Sequence, residues 1–222
     1  MIHMLVLLKR DKAALLASIF LATLIVACAL GAIFLGPQAS AMSFGAARLP
    51  PFDFSRGVRE FLGTDQLGRS VLYMTLVAGA TSLGIAVCAA AIAASLGTLI
   101  GVAAGYLGGL SDTLAMRLAD VILSFPSLLL AILFVYLFEP SPGNIVILLV
   151  ISRLPLYLRI SRAETLEIRQ RLFVDASRLL GASGWRICRR DIFPMVLPNV
   201  LTLAALDIGL LMLIESALSF LG

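Results

Sequence analysis

Residues 71–106 read VLYMTLVAGATSLGIAVCAAAIAASLGTLIGVAAGY and contain no Asp, Glu, Lys or Arg. A helix needs about 20 predominantly apolar residues to cross the hydrocarbon core of a bilayer. This run meets that length with enough left over for a tilted helix that extends past the membrane. Gly97, Gly101 and Gly105 recur every fourth position, so the three lie along one helical face. In lipid, helices associate by close packing rather than by burial of apolar surface, and small residues permit that approach. Such a face serves either ordinary packing inside a bundle or a contact with another subunit or gate.

The rest of the chain is built in the same way. Of 222 residues, 60% are apolar and 14% charged, with a mean hydropathy of +1.04. A soluble domain is about 45–50% apolar and about 25% charged. A chain of this length cannot hide the excess in one core, so the surplus apolar surface faces lipid. The first span is expected over 13–36, behind Lys9, Arg10 and Lys12. Its apolar core exceeds the roughly 7–15 residues of a signal peptide, despite the processing-like Ala39-Ser40-Ala41. Residues 37–70 read as an extramembrane loop. A third span is expected over 118–138 with Pro126 inside it, a fourth over 144–158 with Pro155, and a fifth over 194–214. The fold class is therefore an all-α integral membrane protein, a polytopic bundle of about five transmembrane helices.

Charge sets the expected orientation. With the N-terminus inside, segments 1–12, 106–117 and 153–193 share one side and hold 13 of the 17 Lys and Arg residues. The other side has Arg48, Arg56, Arg59 and Arg69. Excess Lys and Arg marks the cytoplasm, so the basic loop at 159–193 is expected there and the 37–70 loop outside. The basic residues lie between apolar spans, which argues for topology over nucleic-acid binding. Cys28, Cys88 and Cys188 form no spaced framework, and His3 is the only histidine, so neither a disulfide scaffold nor a metal centre is expected. Asp120, Asp207 and Glu215 stand isolated along the chain, with no histidine and no Gly-x-Ser-x-Gly elbow, which disfavours a membrane-embedded enzyme. No Gly-x-x-x-x-Gly-Lys-Ser/Thr phosphate loop is present, so this chain is not expected to hydrolyse ATP.

One extramembrane stretch is too patterned for a connector. Leu172, Ala176, Leu179 and Leu180 fall at i, i+4, i+7 and i+8, the signature of an amphipathic helix. Gly181 supplies a stop. Ser183 is placed to cap a second short helix carrying Trp185, Cys188 and Ile192 on one face, and Pro194 permits a new start into the membrane. Apolar residues on an extramembrane helix pair call for a lipid surface or a protein partner.

Asp175-Ala176-Ser177-x-x-x-Gly181, followed by Ile192-Phe193-Pro194, resembles the EAA loop of ABC importer permeases. Three further stretches resemble the oligopeptide/dipeptide/nickel branch of that family. They are Leu62-Gly63-Thr64-Asp65-Gln66-Leu67-Gly68-Arg69; Ala104-Gly105-Tyr106-Leu107-Gly108-Gly109 continuing through Asp112, Met116-Arg117, Asp120 and Ser124-Phe125-Pro126; and Glu215-Ser216-Ala217-Leu218-Ser219-Phe220-Leu221-Gly222. The likeness runs from about Phe61 to Gly222. Asp175 stands for the usual Glu of the loop, Ser177 for an Ala, and Ser70 for a usual acid.

The resemblance implies a multi-pass subunit of the bacterial inner membrane with a cytoplasmic N-terminus. Its division would be a first helix over 1–36, a periplasmic loop over 37–70 and a permease domain over 71–222. The subunit would work with a second homologous permease, two cytoplasmic ABC ATPases and an extracytoplasmic solute-binding protein. It implies passage of peptides, nickel or related small solutes, with ATP and magnesium used by the ATPases and no cofactor on this chain. The coupling residues it implies are Phe173, Asp175, Ala176, Ser177, Arg178, Leu179, Gly181, Trp185 and Pro194. Buried aromatic or apolar anchors carry most docking energy, which favours Phe173, Leu179, Gly181 and Trp185 among them. Asp207 and Glu215 are candidates for polar residues on a translocation path. A carboxylate inside a membrane is costly and marks either such a path or a pairing with a neighbouring helix. Members of the branch usually carry a sixth span, which is expected to follow Ser219-Phe220-Leu221-Gly222. A shortened, non-transporting remnant or assembly subunit is the alternative reading.

Overall fold

The computed structural model describes residues 11–52, 57–138 and 141–221, and among them the chain is helical with no strand. His3, Lys9, Arg10, Arg56, the Glu139-Pro140 part of the short loop and Gly222 lie outside the described residues. The chain divides into two compact units, Met1–Ser82 and Leu83–Gly222.

In the first unit, α1 (Lys12–Ala39) starts at Asp11, whose Oδ1 accepts the amides of Ala13 and Ala14 at 3.0 and 3.2 Å. That satisfies two of the donors a helix start leaves open. Helix α2 (Val71–Leu107) begins in this unit and meets α1 at small residues. A Cβ on Gly31 would lie 2.7 Å from Leu76 Cβ, and one on Gly79 would lie 2.9 Å from Cys28 Sγ. Between the helices, residues 40–52 and 57–70 form a hydrogen-bonded loop with two short 3₁₀ turns, Phe44–Ala46 and Val58–Glu60. Asp65 organises it: Oδ1 accepts the amides of Leu67 and Arg69 at 2.9 and 2.8 Å, and Oδ2 accepts Arg69 Nε at 2.7 Å. These bonds, the Arg69 amide foremost, hold the Asp65 carboxyl below the ordinary range. Gly68 has φ +74°, and a Cβ there would fall 1.8 Å from the Ser43 carbonyl oxygen, so only glycine fits. Ser70 is fully buried; its hydroxyl donates to the Arg59 carbonyl and accepts the Tyr73 amide at 3.3 Å, which caps α2.

The second unit holds the rest of α2 with α3 (Gly109–Ser124), α4 (Ser127–Leu137), α5 (Pro142–Ile168), α6 (Leu172–Leu179), α7 (Gly184–Ile187), a π turn (Cys188–Ile192) and α8 (Phe193–Leu221). Helices α2 and α5 pack through the glycine face. A Cβ on Gly97 would lie 2.6 Å from Tyr157 Cβ, on Gly101 2.5 Å from the Leu158 carbonyl oxygen, and on Gly105 2.9 Å from the Arg162 carbonyl oxygen. Thr98 and Ser161 meet across the same seam at 3.2 Å. Of the two uses open to that face, packing within the bundle is the one observed. The core continues through Ala86, Ala89, Ala90 and Ala93 of α2, Leu149 and Tyr157 of α5, and Val196, Val200 and Leu211 of α8.

Among the described residues, four helical stretches are long and apolar enough to cross a membrane: Lys12–Ala39, Val71–Leu107, Pro142–Ile168 and Gly184–Phe220. The expected third span, 118–138, is instead two helices broken at Phe125 and Pro126. A proline ring pushes the preceding residue out of the helical region, and Phe125 sits at φ −88°, ψ 127°. The expected fourth span stops too early. Helix α5 absorbs Pro155 and runs to Ile168, so residues 159–168, read as the start of a loop, are helical.

The expected break at Pro194 is also absent. Proline cannot donate an amide, and its ring would strike the carbonyl four residues back in a regular helix. The π turn supplies the room, with the Phe193 amide donating to the Cys188 carbonyl five residues back. The turn also adjusts register. Ile187 and Ile192 are both fully buried although five apart, and Val196, Val200, Asp207, Leu211, Glu215 and Leu218 continue the buried face beyond them. The face expected for Trp185, Cys188 and Ile192 is therefore not one face, since Trp185 is exposed and Ile192 is buried.

Candidate functional site

The segment 169–187 is a helical hairpin fixed at its base and bare at its tip. Arg169 opens it by donating Nη1 to the carbonyl of Gly105 at 2.8 Å, meeting an acceptor the last turn of α2 leaves open. Helix α6 then ends in a two-bond cap. The Gly181 amide donates to the Arg178 carbonyl and the Ala182 amide to the Ser177 carbonyl, both at 3.0 Å. This closure requires a left-handed residue, and Gly181 supplies it at φ +81°. The Ser183 hydroxyl accepts the Arg186 amide at 3.4 Å and starts α7 as expected.

Two residues that periodicity did not single out hold the base. Val174 and Ile187 are fully buried and join the cluster of Val102, Tyr157, Ile168 and Ile192. The Tyr106 ring fills the angle of the hairpin. A Cβ on Gly184 would touch its Cε1 at 3.0 Å, and the Arg178 guanidinium lies 5.6 Å from its centroid. Arg178 also donates to Asp175 at 3.1 Å, as their spacing allowed. The tip is apolar and uncovered: Leu172, Leu179 and Leu180 are 86%, 89% and 89% exposed, and Trp185 is 75% exposed. Phe173 is less open, and Ala176 and Ser177 lie between them on α6. Pro194, also exposed, is the second residue of α8, just past the π turn.

A second ring of charge braces the long helices. Arg162 of α5 grips Asp112 of α3 in a two-pronged pair, with Nη2 to Oδ2 at 2.6 Å. Those hydrogen bonds, and then the charges of Arg162 and Arg169, hold the Asp112 carboxyl below its ordinary range against the opposing cost of desolvation. Arg159 pairs with Asp120 on the more exposed side. Asp207, 3% exposed, receives both Arg153 Nε and the Tyr157 hydroxyl at 3.0 Å on Oδ2, and Arg153 Nη2 on Oδ1. Arg153, counted with the basic side of the membrane in the orientation tally, lies within α5, against α8. Glu215, 5% exposed, accepts the Ser219 hydroxyl at 3.0 Å, and its second carboxylate oxygen is buried with no hydrogen-bond partner among the described residues. The structure thus brings Phe173, Asp175, Ala176, Ser177, Arg178, Leu179, Gly181 and Trp185 into one hairpin. Asp207 and Glu215 are set apart from it on the inner face of α8.

Long apolar helices joined to a hairpin with an exposed apolar tip define a polytopic helical membrane protein. The chain belongs to the family described as the binding-protein-dependent transport system inner membrane component, which it matches over residues 97–222. It is therefore a multi-pass inner-membrane protein. It is 34% identical over 183 residues to the probable D,D-dipeptide transport system permease protein of Escherichia coli, covering 82% of this chain and 60% of that protein. To the nickel transport system permease protein of Escherichia coli it is 37% identical over 177 residues, covering 80% of this chain and 64% of that one. To the glutathione transport system permease protein of Pectobacterium atrosepticum it is 31% identical over 213 residues, covering 96% and 69%. The chain spans between 60% and 69% of the length of these relatives.

Proposed function

We propose that this chain is a permease subunit of an ATP-driven importer, acting with a second permease, two cytoplasmic ATPases and an extracytoplasmic binding protein. The observation that carries the reading is the hairpin: an apolar tip exposed to solvent on a base locked into the membrane bundle. Leaving Leu172, Leu179, Leu180 and Trp185 in water is unfavourable by about 25 cal/mol for each Å² of apolar surface. A cleft in an ATPase subunit would cover them. By the sequence count the hairpin's side of the membrane carries the excess of Lys and Arg, which supports a cytoplasmic hairpin and N-terminus, with α3 and α4 together making the crossing between α2 and α5. Closing of the ATPase pair would then move the hairpin, and rigid-body rocking of the helices attached to it would alternate access to a central path. Peptides are the solute proposed, since two of the three relatives above carry dipeptides or glutathione in their names. Asp207 and Glu215 are proposed to border that path or to brace the helices beside it.

Leu179→Asp and Trp185→Asp test the docking directly. Both should insert in the membrane at normal levels and lose their ATPases on purification. Unchanged co-purification of both variants, or labelling of residue 180 from the periplasmic face, would overturn the reading.

A further inference from the structure

We infer that the groove between α2 and the α7–α8 rod binds a single anionic phospholipid, its acyl chain in the groove and its headgroup on Arg186, Arg189 and Arg190. The inference rests on α2 and Gly184–Phe220 crossing the bilayer and not on the hairpin engaging an ATPase.

The groove has a volume of about 510 Å³ and an apolar wall built from Leu99, Val102, Ala103, Tyr106 and Phe193. Leu99, Val102 and Ala103 belong to an uncharged stretch of α2 that is long and apolar enough to cross a bilayer, and a lipid acyl chain is the occupant such a wall suits. At one end the groove reaches Trp185 and Arg189, and both residues also line a second hollow of about 450 Å³ with Arg186, Arg190 and Pro194. An apolar slot therefore opens onto a basic rim through two shared side chains.

The rim has charge to spare. None of Arg186, Arg189 and Arg190 joins an ion pair or side-chain hydrogen bond among the described residues, whereas Arg153, Arg159, Arg162, Arg171 and Arg178 each hold a carboxylate. Three unpartnered guanidinium groups within five residues call for an anion, and a phosphate diester offers oxygens that match their forked donors. Tyr106, packed on Gly184 along the same groove, is a side chain of the kind that favours the headgroup level of a membrane. Apolar tail, aromatic collar and cationic head follow one another in the order of a phospholipid with net negative charge. Basic hollows between transmembrane helices at the membrane face are sites of this kind.

The test uses the full chain, purified in detergent and stripped of lipid, with native mass spectrometry as the readout. Phosphatidylglycerol and phosphatidylcholine with the same acyl chains are titrated separately. One phosphatidylglycerol should bind per chain about tenfold or more tightly than phosphatidylcholine, on the scale of about one kilocalorie per basic residue near a charged surface. The Arg189→Gln/Arg190→Gln variant should lose that preference. Ala103→Trp should fill the groove and lose retention with all three arginines intact. Glycerophosphoglycerol, the headgroup without tails, should not compete. Equal binding of the two lipids, a preference untouched by either variant, or full competition by the tail-free headgroup would each overturn the inference. Co-purification of the ATPases with Arg189→Gln/Arg190→Gln at reduced yield, with lipid preference unchanged, would assign the arginines to the protein partner instead.

Discussion

Arg153 and Asp207, 54 positions apart, meet inside the apolar bundle with Nε and Oδ2 3.0 Å apart and Tyr157 hydrogen-bonded to the same oxygen. A charge pair at this depth is expensive to form and more expensive to break. Asp207→Leu leaves the guanidinium without a partner and should destabilise the protein by about 3 kcal/mol, the lower end of the range for buried pairs because Arg153 keeps some solvent contact. The double change Arg153→Leu/Asp207→Leu should recover most of the loss. Denaturant unfolding in micelles reads both, and equal stabilities for the single and double variants would mean that the pair is uncoupled.

The seam between α2 and α5 has no room for a side chain. At Gly101 a new Cβ would meet main-chain oxygen, which cannot rotate away. Gly101→Val should therefore cost about 1–3 kcal/mol through overpacking. Gly209→Ala, where nothing lies within 4 Å, should be close to neutral. A comparison of melting temperatures separates the two, and a neutral Gly101→Val would show that the helices can part.

Gly181 is exposed and open on all sides, so its constraint is conformational. Gly181→Asp should preserve insertion, should lower stability by no more than about 2 kcal/mol for the left-handed backbone, and should abolish association with the ATPases. Gly181→Asn, which tolerates that conformation better, should retain part of it. If both variants co-purify with the ATPases as the parent does, the turn is dispensable for docking.

Acid should loosen α3 from α5. The folded-state pKa of Asp112 is depressed below its unfolded value near 3.8. Its contribution is therefore fully present above that value and disappears as pH falls through the lower folded pKa. Thermal unfolding from pH 7 to pH 2 should show Asp112→Asn less stable than the parent at neutral pH. The gap should close below about pH 4, and a gap that is constant with pH would exclude the Arg162 pair as its source.

The sequence disclosed the membrane class and the helical hairpin because both rest on local signals. Uncharged length marks a span, and Leu180-Gly181 followed by Ser183 marks a stop and a start within four residues. Contacts between distant elements were less accessible. Arg153 reads as a boundary marker from its position alone, and only the packing of α5 on α8 turns it toward Asp207. An isolated acid in one span is nevertheless a reason to search the other spans for a base. Pro126 carried a visible signal in Phe125, whose backbone it restricts. Val174 and Ile187 were missed because the outward face of the hairpin has the stronger apolar period. The even spacing that placed Trp185 with Ile192 assumed 3.6 residues per turn through a stretch where the chain does not keep it.

The surplus residue of the π turn is pinned from two directions, and that makes it hard to evolve away. Replacing Pro194 alone leaves Ile187 and Ile192 five positions apart, so an ordinary helix would twist one of them out of the core by roughly 140°. Deleting one of the four residues between them alone would bring the imide ring against a carbonyl. Only both changes made together give a plain helix, and neither intermediate is comfortable. The stretch from Ile187 to Pro194 should thus accept substitutions far more readily than changes of length.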